Sequence, residues 1–126
     1  MKRFTLLVLL LLLTGCHTIH LQQQTLAEFI EDAGVEQVEE IVILNGETGE
    51  KKSVTDVANI EAFLADIEAI VFTPDENQEQ RNGFRYDVKL IDGNETFQFT
   101  PTSIGQDYYV TSDEIYEILD KLFTSN

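Results

Sequence analysis

The sequence predicts an α+β domain, an antiparallel or mixed sheet with helices packed on one face. Three patterns carry this reading. Residues 83–92 alternate, with Phe84, Tyr86, Val88 and Leu90 on one side and Arg85, Asp87 and Lys89 on the other, the period of a half-buried strand. Val57, Ile60, Phe63, Leu64 and Ile67 recur at helical spacing, and so do Ile115, Ile118, Leu119 and Leu122. Taken together with the segments between them, these patterns give the order αββαββββα.

Thr25, Leu26, Ala27 and Glu28 have the spacing of a capping box, with Leu26, Phe29 and Ile30 on one face and Gly34 as the stop. Residues 38–44 hold the β-branched run Ile41, Val42, Ile43, Leu44, which Asn45-Gly46 ends, and residues 50–54 supply a partner strand. Thr55 or Asp56 caps the second helix. Ile70, Val71, Phe72 and Thr73 form a strand cut off by Pro74, and residues 75–82, acidic and amide-rich, form a loop. Asp92-Gly93-Asn94 turns the chain into a second alternating strand over residues 95–100, through Phe97 and Phe99. Residues 104–111 read as a last strand, and Thr111, Ser112, Asp113 and Glu114 as a capping box before the closing helix.

Ahead of this domain stand Lys2 and Arg3, an apolar run over residues 4–12, and Leu13-Thr14-Gly15-Cys16. A basic start, a short apolar stretch and small residues before a cut are the parts of an export signal. The run is about half the 20 or so residues that a spanning helix needs, and it is apolar on every face, unlike a surface helix. An ordinary secretory signal that happens to end beside a cysteine is the rival reading, and against it stands the fact that Cys16 is the chain's only cysteine. Leu13-Thr14-Gly15-Cys16 resembles the lipobox of bacterial lipoproteins. The resemblance implies removal of residues 1–15, a diacylglyceryl and acyl lipid on Cys16, and anchoring on the extracytoplasmic side of a membrane in a bacterial cell envelope. Two acyl chains suit stable anchoring, since one chain alone holds only marginally. Residues 16–24 then form the lipidated N-terminus and a polar tether, and residues 25–126 a single globular domain.

Composition narrows the chemistry. Removal of residues 1–15 leaves 111 of the 126 residues, enough for one modest core. With Cys16 lipidated, no thiol remains for a disulfide, a nucleophile or a cysteine metal site. The whole chain carries 8 basic and 23 acidic residues, a net charge of −15. Loss of Lys2 and Arg3 leaves 6 basic residues against the same 23 acidic ones, or −17. Such a polyanion does not bind nucleic acid, whose counterions Lys and Arg must displace. His17 and His20 belong to the tether, so the domain lacks a histidine base and no catalytic triad is possible. Carboxylates are abundant, but nothing singles out a pair for acid–base work. The domain is therefore expected to be non-enzymatic and without a cofactor.

Two groups of residues invite a binding role. Asp75, Asn77 and Glu79 place oxygens at alternate positions, a weak candidate calcium loop without the glycine and glutamate spacing of an EF-hand; the simpler reading is a solvated loop. Tyr108 and Tyr109 are consecutive, so within a strand one of them points away from the core. An outward tyrosine near Arg85 and Lys89 would serve as a protein contact, against the plainer role of cross-strand pairing. The expected function is a lipid-anchored domain binding another envelope or secreted protein; the alternative is an anchored cation or small-molecule binder acting through the acidic surface.

Overall fold

The computed structural model describes residues 21–125. Residues 1–20, which hold the expected export signal, Cys16, His17 and His20, lie outside the described residues. Strand β1 (Gln24–Thr25) leads directly into α1 (Leu26–Asp32), and β2 (Glu40–Asn45) and β3 (Lys51–Val54) form a hairpin before α2 (Val57–Ile67). Five strands follow: β4 (Val71–Pro74), β5 (Tyr86–Asp92), β6 (Glu95–Phe99), β7 (Ser103–Ile104) and β8 (Asp107–Val110). Helix α3 (Glu114–Thr124) closes the chain.

The class is α+β, and the strands divide into two antiparallel sheets, ordered β1-β4-β8-β7 and β3-β2-β5-β6. The chain passes from one sheet to the other at residues 100–103, where the Thr100 N–H donates to the Ser103 carbonyl at 2.9 Å and Pro101 interrupts the ladder. Register fixes which side chains enter the core. Ile41 lies opposite Leu90 and Val54, and Ile43 opposite Val88, and all five are buried. They join Ile60, Phe63 and Ile67 of α2 and Ile115, Leu119 and Leu122 of α3 in a single core cluster. Phe72 of β4 ties the two sheets together. It meets Phe99 of β6, Phe29 of α1 and Tyr109 of β8 edge-on, at centroid distances of 6.3, 6.0 and 5.9 Å.

Local chemistry explains most element ends. The Thr25 hydroxyl accepts from the Glu28 N–H and the Glu28 carboxylate accepts from the Thr25 N–H, both at 3.3 Å, the reciprocal capping box. Asp56 caps α2 by accepting from the Asn59 N–H at 3.1 Å. Asn45 ends β2 with its side-chain oxygen accepting from the N–H groups of Glu47 and Thr48. Gly93 adopts φ 53° in the β5–β6 hairpin. Beside that turn the Asp92 carboxylate accepts from Glu36 and Gln37 N–H at 2.9 and 3.0 Å, which fastens the segment after α1 and holds the Asp92 pKa below the usual carboxylate value.

Four expectations are corrected. Val57 heads the apolar stripe of α2 but is 68% exposed, because as the first residue of the helix it stands most of a turn ahead of Ile60, where burial begins. The strand expected over residues 104–111 is broken by a turn at Gly105, φ 62°, into β7 and β8. Phe84 does not continue the buried row of β5 and is 41% exposed, because β2 ends at Asn45 opposite Tyr86 and offers residue 84 no partner. At α3 no capping box forms. The Thr111 hydroxyl donates instead to the Pro101 carbonyl at 2.8 Å, and Asp113, at the N-cap, makes no side-chain capping bond.

Candidate binding face

The four residues singled out for protein contact do not share one surface. Tyr109 is 4% exposed and packs between Phe29 and Phe72; burial, with Asp107 nearby, pushes its phenol pKa up. Tyr109 is therefore a core residue. Tyr108 points away from the core, but the loop after β4 covers it. The Arg81 guanidinium lies 4.6 Å from its ring centroid, and the Tyr108 phenol oxygen accepts from the Arg81 N–H at 2.8 Å. Arg85 faces α3, 3.4 Å from Asp120 and over the rings of Tyr86 and Tyr116. Lys89 stands apart from the other three, on the outer face of the β3-β2-β5-β6 sheet between Val42 and Gln98.

The acidic loop is bound to itself and to β8. Asp75 pairs with Arg81 at 3.0 Å and accepts from the Asn77 N–H at 2.9 Å; these contacts, the backbone one first, lower its pKa. The Asn77 side-chain oxygen accepts from the Glu79 N–H. Gln78 pairs its side-chain amide with both backbone groups of Tyr108, donating at 2.9 Å and accepting at 3.0 Å. Asp75 and Asn77 thus direct oxygens into the loop rather than toward a common point. Among the described residues no group of three or more His, Cys, Asp or Glu is placed to hold a metal ion.

A different surface emerges from the register. On the outer face of the β3-β2-β5-β6 sheet one row runs Ser53, Val42, Lys89, Gln98, and the next sets Lys51, Leu44 and Asp87 side by side; Ile91 lies between Glu40 and Thr96. Val42, Leu44 and Ile91 are half-buried and lie outside the core cluster. Lys51 and Lys89 are in no ion pair among the described residues. The sheet thus presents an apolar strip with lysines beside it, in a chain whose net charge is −15.

At one end of this face Asp87 is 9% exposed, the one charged side chain that is buried among the described residues. Its two oxygens accept from the same Gln98 side-chain nitrogen, at 2.8 and 2.9 Å. Strand alternation places Asp87 on the solvent side, and it does point outward. Thr100, Ser103 and Gly105, from the step between the sheets, line a recess together with it. No periodicity in the sequence encodes that neighbourhood, which brings residues of two sheets together.

No helix among the described residues is long and apolar enough to cross a membrane. Comparison with protein-family models, with curated proteins and with solved structures finds no match.

Proposed function

We propose that this chain is a lipid-anchored, non-enzymatic domain held on the extracytoplasmic side of a bacterial membrane, where it binds another envelope or secreted protein through the outer face of the β3-β2-β5-β6 sheet. The observation that carries the reading is the strip of Val42, Leu44 and Ile91, half-buried yet outside the core that the helices help to build, with Lys51 and Lys89 beside it. Apolar side chains on an open sheet face gain from being covered, at about 25 cal/mol per Å² removed from water. The two lysines offset the repulsion that the rest of this polyanion exerts on other acidic proteins. The anchor rests on the lipobox-like Leu13-Thr14-Gly15-Cys16.

Both halves are open to test in living cells. Metabolic labelling with a fatty acid should mark the wild-type chain and not Cys16→Ala; labelling that persists in the variant sinks the anchor. For the binding face, a photo-crosslinking residue at position 42 is compared with one at position 57 on α2, where Val57 is 68% exposed. One envelope or secreted protein joined from position 42 and not from position 57 supports the reading. The same products from both positions, or none from either, refute it.

A further inference from the structure

We infer that the recess at Asp87 is a binding site for a monovalent nitrogen cation, an alkylammonium or guanidinium group. The recess is open to solvent, has a volume of about 280 Å³ and is lined by Asp87, Gln98, Phe99, Thr100, Ser103 and Gly105. It sits where the chain steps from β6 to β7, so both sheets contribute to its walls.

The unusual group there is the carboxylate. An ionised carboxylate offers about four acceptor sites. Asp87, nine-tenths buried, receives one neutral amide nitrogen, that of Gln98. A cation is the partner such a carboxylate gains most from, because the part of its charge that the fold shields from water is costly without one. Lys89, two residues along the same face, and Lys51, across Leu44, form no ion pair with it. The other polar side chains at the recess are neutral. The Thr100 and Ser103 hydroxyls lie 2.6 Å apart, and their oxygens add acceptor sites beside the carboxylate.

This set of atoms selects its ligand. An anion is repelled by Asp87, and a neutral ligand leaves the charge uncompensated. A divalent ion such as calcium takes six to eight oxygens, commonly several carboxylates, whereas this recess holds one carboxylate. A cation carrying N–H groups satisfies the carboxylate by charge-assisted hydrogen bonds and offers further donors to the hydroxyl oxygens. The field of a chain with net charge −15 concentrates such cations at its surface. The site does not require the proposed protein partner, although it lies at one end of the same face: the cationic group can belong to a free amine or to a lysine or arginine of a bound protein.

The test is a titration of the isotope-labelled full chain in detergent micelles, followed through backbone amide resonances. The probes are N-acetyl-arginine methylamide and its neutral, near-isosteric citrulline counterpart. The arginine probe should give saturable shifts at Asp87, Gln98, Thr100, Ser103 and Gly105, and the citrulline probe none. Asp87→Asn, which keeps an acceptor for Gln98, should weaken the arginine probe at least about tenfold. Ser103→Ala, at the edge of the recess, should weaken it about two- to fivefold and serves if Asp87→Asn does not fold. A short extended peptide with a central arginine separates the sources. Much tighter binding than the single residue points to a protein side chain, and equal binding to a free small cation. Equal shifts from both probes, no saturable shift from either, or affinity unchanged in both variants overturns the site.

Discussion

Replacing Gly46 by alanine should damage the fold through contact alone, because nothing else about the position demands glycine. Gly46 has no positive φ, unlike Gly49 at φ 77° three residues on. A Cβ on Gly46 would stand 1.9 Å from the Phe84 carbonyl oxygen, and 2.9 Å from both its carbonyl carbon and a ring carbon. Side-chain Cβ atoms essentially never approach within 3.0 Å of another heavy atom, so the backbone at residue 84 must retreat by roughly 1 Å. That movement pulls on the 2.8 Å bond from the Gly46 N–H to the Arg85 carbonyl, at the point where β5 enters its ladder opposite Asn45. Overpacking costs about 1–3 kcal/mol and a lost hydrogen bond about 1 kcal/mol. For a domain near 100 residues, a loss of about 2–4 kcal/mol lowers the melting temperature by roughly 10 °C or more. Circular dichroism melting curves of wild type, Gly46→Ala and Gly49→Ala test the mechanism. A Cβ on Gly49 meets nothing within 4 Å, so that variant should lose only about 1–2 kcal/mol through backbone strain. A Gly46→Ala protein that melts within a degree or two of wild type, or no lower than Gly49→Ala, would refute the close approach.

The remaining expectations concern the core, the caps and the pH response. Phe72→Ala removes the ring shared by α1 and both sheets and should cost about 3–5 kcal/mol in denaturant unfolding, a large share of the roughly 5–15 kcal/mol of an ordinary domain; a loss under about 1 kcal/mol would contradict its place in the core. Asp56→Ala should cost about 1 kcal/mol and Asp113→Ala close to nothing, since only Asp56 caps through its side chain; equal losses would count against the assigned helix starts. Burial, then the Asp120 carboxylate that accepts a hydrogen bond from the phenol at 2.6 Å, raises the Tyr86 pKa above 10.0. The folded chain keeps a proton that the unfolded chain releases, so this stabilisation is complete below about pH 10 and is lost as the pH rises through the folded pKa. Tyr86→Phe should therefore flatten the alkaline fall in melting temperature, and an unchanged slope would contradict the assignment. Asp92 works in the opposite direction. Its lowered pKa stabilises the fold above about pH 3.8 and ceases to do so as the pH falls through the folded value, and Asp92→Asn should reduce the acid-side loss of stability relative to wild type.

Sequence patterns that depend on neighbours along the chain translated directly into structure. The Thr25 capping box, the Asp56 cap, the Asn45-Gly46 strand end and the Gly93 hairpin involve groups a few residues apart, whose geometry the backbone itself restricts. The α3 stripe, the α2 stripe from Ile60 onward and the alternation of residues 86–90 likewise announced which apolar side chains enter the core, because those periods are set by helix and strand geometry; Val57, at the head of α2, is the exception. Phe84 departed from its strand because the partner β2 had already ended, which the sequence around Phe84 does not state. Thr111 left its expected cap for the Pro101 carbonyl, a contact made only once β7 and β8 have folded back.

The candidate sites divide in the same way. That one of Tyr108 and Tyr109 must turn outward follows from alternation, but Arg81, brought back by the acidic loop, decided that the outward ring would be covered from within the chain. Lys89 and Asp87 were legible as outward residues of one strand. Their surroundings, an apolar strip for the lysine and a sheltered recess for the carboxylate, depend on register with β2 and β6 and on the turn from one sheet to the other. By itself the sequence determined the α+β class, the caps and turns, the inward and outward faces of most elements, and the charge, since each is set by local geometry or simple composition. Only the tertiary structure decided the split into two sheets and the burial of Asp87, because these arise from contacts between residues far apart in sequence that no local period records.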